Sequence, residues 1–234
     1  MRDLVSRRAL LALAPCLTIL PSLPASASKP ISDPRFSLLL PDGFAVSKRT
    51  ATQGTLFVGG NFPRAAVVSV AAWPITELAD EEVRMRSLPG MAADAPMAVP
   101  ASFAGLTDVQ QVLGGGSTDG LTRALLRRRD RDASSGALTS KLLSFELSGA
   151  RLLWTSSTEL SVADPEELYK QRGIRQLIRK TAAVSVLGSV PGATSGSAPI
   201  PAIISCFASA LEADWSPSEL GPALETSVQS FELA

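Results

Sequence analysis

The side chains that most often carry catalytic or metal chemistry are scarce in this chain. Histidine is absent, which excludes Ser-His-Asp and Cys-His catalysis and imidazole zinc sites. Cys206 lies in an apolar run between Ser205 and Phe207, and we expect it to be a small core residue. Any reaction would have to use carboxylates, lysine, tyrosine or this thiol. The residue types therefore predict a protein that is not an enzyme.

The densest run of charge mixes arginine with aspartate. Its members are Arg127, Arg128, Arg129, Asp130, Arg131 and Asp132. The four arginines could form a docking patch for an acidic partner or an anionic cofactor. The favoured alternative is the solvated end of a strand, in a hairpin that closes at residues 134–136. Surface ion pairs within such a hairpin contribute only about 0–1 kcal/mol each.

Two other clusters could bind a ligand. Asp164, Glu166 and Glu167 could offer oxygen ligands to calcium, but a helix start explains them better, because Asp caps helices and acids suit the positive end. Residues 114–120 are glycine-rich, as phosphate-binding loops are. They lack the lysine of the Walker pattern, and a strand is expected after them, so a hairpin loop is the better interpretation. We expect no cofactor.

The elements that would position these residues are mostly strands. Apolar or alternating runs predict strands at residues 36–40, 55–58, 65–73, 121–126, 140–147, 151–155 and 202–210. In the strand over residues 140–147, Leu143, Phe145 and Leu147 are expected to share one face. Residues 148–149 are the turn of a hairpin.

Three helices are predicted as well. One follows Thr76 and reaches Met85, and one begins at Ser216, with Leu220, Leu224 and Val228 on one face. The third begins at Asp164, and its predicted apolar face consists of Leu168, Ile174, Leu177 and Ile178, with Arg179 and Lys180 near its end. Residues 89–102 and 188–201 read as loops. The sum is an α+β domain, an antiparallel sheet with helices packed on its faces.

Residues 1–27 have the pattern of a cleaved export signal, with an uncharged run over residues 9–20. The residues that define it are Arg7, Arg8, Ala25 and Ala27. The paired arginines suggest the twin-arginine route. A buried N-terminal helix and a lipoprotein modified at Cys16 are the alternatives. We expect a single mature domain over residues 28–234.

The charge balance limits the partners. The chain has 22 basic and 22 acidic residues, and three basic and one acidic residue fall within the signal, so 19 and 21 remain. A broad positive field is therefore not available to hold phosphates. Nucleic acid and an anionic membrane surface are not expected as partners.

Residues 33–44, DPRFSLLLPDGF, resemble the opening strand and turn of PsbP-domain proteins, which are extrinsic proteins of the thylakoid lumen. The resemblance continues in a late strand over residues 206–211, in Trp215 with the helix over residues 220–228, and in the closing pair Ser230 and Phe231. Residues 140–159 are similar to the central hairpin of that family. The resemblance covers most of the mature chain in order.

The resemblance implies an α/β/α sandwich around an antiparallel sheet, and a monomer that associates with photosystem II or with photosystem assembly intermediates. PsbP helps photosystem II to retain calcium and chloride at the oxygen-evolving complex. This chain has only residues 28–32 before the opening strand and has no histidine for the metal positions of the family. A PsbP-like paralogue in photosystem assembly or stability therefore fits better, with calcium implied by the resemblance only.

The expected location is the thylakoid lumen of a chloroplast, or a cyanobacterial lumen or periplasm. Residues 1–6 are too short for a plastid transit peptide, which leaves a cyanobacterial source or a missing N-terminal segment. The alternative functions are an exported enzyme or small-ligand carrier that uses carboxylates in a pocket, and a nuclear-transport-type regulator of the same sandwich fold.

Overall fold

The computed structural model describes residues 28–48, 54–86, 117–132, 140–162, 164–173, 176–191, 198–216 and 220–234. The predicted signal, with Arg7, Arg8, Ala25 and Ala27, lies outside these residues. The predicted loop over residues 89–102 and the glycines at 114–116 do so too. The interpretations of these segments stay predictions.

The described strands form two antiparallel sheets. They are β1 (Ser28–Asp33), β2 (Phe36–Pro41), β3 (Ala45–Val46), β4 (Thr55–Asn61), β5 (Ala66–Pro74), β6 (Ser140–Ser148), β7 (Arg151–Leu160), β8 (Leu177–Val190), β9 (Ile200–Leu211) and β10 (Glu232–Leu233). The central sheet has the order β3-β4-β5-β9-β8-β7-β6, and a small sheet has the order β1-β2-β10.

The described helices are α1 (Ile75–Arg86), α2 (Thr118–Asp132), α3 (Pro165–Arg172) and α4 (Gly221–Gln229), with short 3-10 helices at Phe62–Arg64 and Glu212–Trp215. A search of the described residues finds no helix of the length and apolar character that a membrane span needs. Helices on an antiparallel sheet confirm the predicted α+β class.

The central sheet separates two cores, because successive side chains of a strand point to opposite faces. Cys206 enters the first core, and its neighbour Phe207 enters the second. The first core lies under α4 and the small sheet. The second lies under α1 and α2, where Phe207 contacts the rings of Trp73 and Trp154, with centroids 5.6 and 5.7 Å away.

The predicted strand over residues 121–126 is wrong, because this segment is part of α2. The backbone N–H of Gly120 donates to the Ser117 side-chain oxygen at 3.0 Å, as expected of an N-cap. Leu121 and Leu125, four residues apart, are both fully buried in the second core. The arginines that follow therefore lie on the last turns of a helix, and the solvated strand end is wrong as well.

The helix predicted from Asp164 is confirmed at its start but is shorter than expected. It ends at Gly173, which adopts a left-handed φ of 70° and donates its N–H to the Tyr169 carbonyl. Leu177 and Ile178 open β8 instead, so Arg179 and Lys180 alternate across a strand. The predicted loop over residues 188–201 is also too long, since β8 extends to Val190 and β9 begins at Ile200.

The remaining predicted elements are present. Strands β2, β4, β5, β6, β7 and β9 and helix α1 cover the expected segments. Helix α4 begins at Gly221 rather than at the predicted Ser216, with Pro222 in its first turn.

The prediction that Leu143, Phe145 and Leu147 share one face of β6 is only partly correct. A register shift between Leu142 and Ser144 removes Leu143 from the ladder, whereas Phe145 and Leu147 pair with Trp154 and Leu152.

Candidate functional site

The four arginines of the charge run do not share one face of α2. Arg128 lies 3.5 Å from carboxylate oxygens of both Glu77 and Glu81 on α1, and its side chain is only 12% exposed. Arg131 contacts Glu81 at 2.9 Å, with its side chain half exposed. These ion pairs join α1 to α2. Arg127 is exposed on the same helix.

Arg129 points from α2 onto the central sheet. Its Nη2 donates to the Thr181 hydroxyl at 2.8 Å, and its Nη1 lies 3.5 Å from the Ser156 hydroxyl. The guanidinium carbon is 5.8 Å from the centre of the Phe207 ring, within reach of a cation–π contact. Burial lowers the pKa of Arg129 to about 10, so this side chain remains charged at neutral pH.

Asp130 is only a distant partner for Arg129, because the two groups are 3.9 Å apart. The Asp130 carboxylate accepts hydrogen bonds from the Ser140 hydroxyl at 2.7 Å and from the Ser140 N–H at 3.2 Å. This carboxylate therefore ties the end of α2 to the start of β6. The hydroxyls of Thr181 and Ser156 are the closer partners of Arg129.

Arg179 is the second arginine on this face of the sheet. It lies two residues before Thr181 on β8, and the register places it opposite Thr158 of β7. Burial lowers the pKa of Arg179, and its charge helps to lower the pKa of Arg129. Among the residues that the structure describes, Arg179 has no ion pair or hydrogen bond through its side chain.

The two arginines line an open groove of about 430 Å³ on the second face of the sheet. We call it the arginine groove. Its floor includes Trp73 and Phe207, and Ser69, Thr158 and Ser209 contribute hydroxyls. Its described charged residues are Arg129, Arg179 and Asp130, which gives a net charge of +1.

A second groove, of about 460 Å³, lies on the opposite face of the sheet beside α4. Glu146 and Glu225 line it together with Lys180 and Trp215. Both glutamates are exposed to solvent. They are therefore not the desolvated carboxylates that acid–base catalysis favours, and the carboxylate-based enzyme gains no support from this groove.

The acidic cluster near Asp164 forms a helix cap, as the favoured interpretation predicted. The Asp164 side chain accepts a hydrogen bond from the Glu167 N–H at 2.9 Å. Within the described residues, no group of three or more potential metal ligands comes together.

Cys206 is fully buried in the first core, which confirms its interpretation as a core residue. Burial raises the pKa of its thiol from 9.0 to about 12. The thiolate, which is the nucleophilic form, is therefore not available near neutral pH.

Sequence reasoning identified Arg129 but missed Arg179 and the hydroxyls around both. Arg179 and Thr181 on β8 share one face with Ser205 and Ser209 on β9. Alternation of polar side chains along both strands was the available signal. The predicted helix over residues 177–180 hides this signal, because it gives these residues a helical instead of an alternating period.

The chain is similar to solved structures but not to a known family model. No family model and no curated protein matches the chain. Among solved structures, the chain is similar to the solution structure of cyanobacterial PsbP (CyanoP) from Synechocystis sp. PCC 6803, with 16% sequence identity and a TM-score of 0.49. The match covers 93% of this chain and 99% of that one.

Proposed function

We propose that this chain is a non-enzymatic extrinsic protein of the thylakoid lumen, similar to PsbP-domain proteins, that supports photosystem II stability or photosystem assembly. One observation carries the proposal. The opening and closing segments, which carry the sequence resemblance, contact each other. Strand β10 pairs with β2 through Leu233 opposite Phe36 and Glu232 opposite Ser37.

The closing pair of residues makes the most specific of these contacts. The Ser230 hydroxyl accepts a hydrogen bond from the Leu39 N–H of β2 at 2.9 Å. The ring of Phe231 lies 5.9 Å from the ring of Phe36, and both are buried. The short motifs at the two ends thus pack against each other, which supports an architecture shared with PsbP-domain proteins.

The chemistry of the chain supports a binding role. Histidine is absent, the thiol of Cys206 is buried, and Glu146 and Glu225 are exposed. The proposed partner is photosystem II or an assembly intermediate at the lumenal face of the membrane. Of the predicted docking arginines, Arg127 and Arg131 remain accessible at the end of α2, and we propose that they contact this partner.

Fractionation and affinity isolation test this function. A tagged protein, expressed in the phototroph that carries the gene, is expected in the thylakoid lumen fraction and should co-purify photosystem subunits from solubilised thylakoids. Arg127→Glu should reduce that recovery, because it reverses a charge at the proposed contact. Arg123→Glu, at an exposed position of the same helix outside the predicted docking arginines, is the matched control and should retain it.

A protein found only in the stroma or cytosol would contradict the proposal. So would a lumenal protein that brings down no photosystem subunit. Equal losses for Arg127→Glu and Arg123→Glu would leave the association in place but remove the docking surface assigned to the end of α2.

A further inference from the structure

We propose that the arginine groove binds a small organic oxyanion, a carboxylate or phosphate group carried on an apolar body. The site is independent of the proposed docking function. Arg129 and Arg179 would bind the anionic group, and the apolar body would lie on the half-buried side chains of Val58, Val67 and Leu160, which line the same groove.

The charge of the groove is not balanced by the described residues. Two guanidinium groups face it, and the one carboxylate that lines it, Asp130, is held by the N–H and hydroxyl of Ser140. Burying like charges together is unfavourable unless an opposite charge joins them. An anion between Arg129 and Arg179 would remove that cost, so the groove is suited to a negative ligand.

Arg129 is held in place before any ligand arrives. Thr181 accepts its hydrogen bond at 2.8 Å, and Phe207 lies beneath the guanidinium. Both are on strands in the middle of the central sheet, which makes a rigid base. A binding group that is already ordered loses little entropy on binding.

The side-chain N–H groups of Arg179 donate to no other described residue, so they can donate to a ligand. A guanidinium can bind a carboxylate or phosphate through two parallel hydrogen bonds, and these charge-assisted bonds are about twice as strong as neutral ones. The hydroxyl of Ser209 lines the same groove and can add a weaker bond, whereas the Thr158 hydroxyl donates to Ser140 at 2.6 Å.

The groove is larger than an inorganic ion needs. Its volume of about 430 Å³ falls in the range of small-molecule sites. The half-buried side chains of Val58, Val67 and Leu160 give the groove an apolar surface. An aromatic or aliphatic body on the anion would cover this surface, so an organic anion should bind more tightly than inorganic phosphate.

Calorimetric titration of the purified protein at low salt tests the site with four probes: benzoate, phenyl phosphate, inorganic phosphate and benzyl alcohol. We expect benzoate or phenyl phosphate to bind, and the tighter of the two identifies the anionic group. Inorganic phosphate should bind more weakly, and uncharged benzyl alcohol should bind least.

Variants at β8 locate the binding. Arg179→Gln should weaken the affinity for the better probe by about tenfold, equivalent to about 1.4 kcal/mol. Lys180→Gln is the matched control, because Lys180 is the next residue on the strand, on the opposite face, where it pairs with Glu212 at 2.9 Å. It should leave the affinity unchanged. Arg179→Lys keeps the charge but loses the two-pronged donor, and should give an intermediate affinity.

Three results would overturn the proposal. The first is the absence of heat, and of NMR shift changes in β8 and β9, at about 10 mM of either organic anion. The second is equal binding of benzyl alcohol and benzoate. The third is an equal loss for Arg179→Gln and Lys180→Gln. If Arg179→Gln does not fold, the NMR map of the wild-type protein decides alone, because the shifted residues must line the groove.

Discussion

At the scale of single residues, two titratable side chains of the described chain are buried on opposite faces of the central sheet. Cys206 enters the first core and is fully buried, whereas Arg129 reaches the second beside Phe207. Burial disfavours the charged form of both groups, so it raises the pKa of the thiol and lowers the pKa of the guanidinium. The stability of the protein should therefore depend on pH in the alkaline range.

The Cys206 thiol should make the folded state lose stability above pH 9. Its pKa is about 12 when folded and 9.0 as the ordinary value, so between these values the unfolded chain releases a proton that the folded one keeps. Its contribution is fully present below pH 9 and falls by about 1.4 kcal/mol per pH unit above it. Arg129 acts in the opposite direction, but only above its folded pKa of about 10.

Urea unfolding at pH 8 and pH 10 measures this effect, since Arg129 contributes little over that interval. The wild-type protein should lose more stability than Cys206→Ala does, by about 1.4 kcal/mol. Because each protein is compared with itself at the two pH values, any pH-independent cost of the substitution cancels. Identical pH dependence in the two proteins would show that the thiol titrates in the folded state as it does in the unfolded chain.

At the scale of elements, the sequence predicts correctly the strands that are continuous apolar runs. It fails where a segment fits both the period of a strand and the period of a helix. Strands β2, β5 and β9 are apolar runs bounded by turn residues, and they were predicted correctly. Residues 121–126 fit a strand by composition and a helix by spacing. The helix is favoured by the Ser117 cap and by burial of Leu121 and Leu125, and packing of this kind cannot be read from local sequence.

The same limit explains why the arginine groove was not predicted. The side chain of Arg129 faces the sheet only because α2 is a helix, and Arg179 lies beside it only because β8 is a strand. If the segment of Arg129 is taken as a strand and that of Arg179 as a helix, the two residues have no predicted contact. The candidate residue Arg129 was visible in the sequence, but its partner depended on the correct topology.

The contact between α1 and α2 depends on Glu81, which accepts from two arginines of α2. Its side chain is 14% exposed, and it lies 3.5 Å from Arg128 and 2.9 Å from Arg131. Glu81→Gln should lower the free energy of unfolding by about 1–3 kcal/mol, because it removes the charged acceptor that Arg128 and Arg131 share. Urea unfolding at neutral pH measures this change.

The matched control for Glu81→Gln is Asp119→Asn, which removes an exposed carboxylate from the same pair of helices. Asp119 pairs with Arg123 within α2, and both side chains are well exposed. Its loss should cost at most about 0.5 kcal/mol. Equal effects of the two substitutions would mean that the α1–α2 ion pairs contribute no more than a surface pair.

At the scale of the whole molecule, segments near the two ends of the described chain pair with each other in the small sheet. The small sheet brings β2, near the start of the described residues, against β10 at their end, and α4 connects this sheet to the central one. Ser230 joins these parts, because its hydroxyl accepts from Leu39 N–H at 2.9 Å and donates to the Ser227 carbonyl at 3.0 Å. One side chain thus couples the small sheet to α4.

Ser230→Ala should therefore destabilise the entire domain rather than release its end. It leaves the Leu39 N–H without its acceptor, at a cost of about 1–3 kcal/mol. Thr226→Ala is the control, since the exposed Thr226 hydroxyl bonds only within its own helix, to the Pro222 carbonyl at 2.8 Å. It should change stability by less than about 0.5 kcal/mol. Urea unfolding followed by both near-UV and far-UV circular dichroism should show one transition at a lower midpoint for Ser230→Ala. Two separate transitions would contradict the coupling, because the small sheet would then unfold independently of the central sheet.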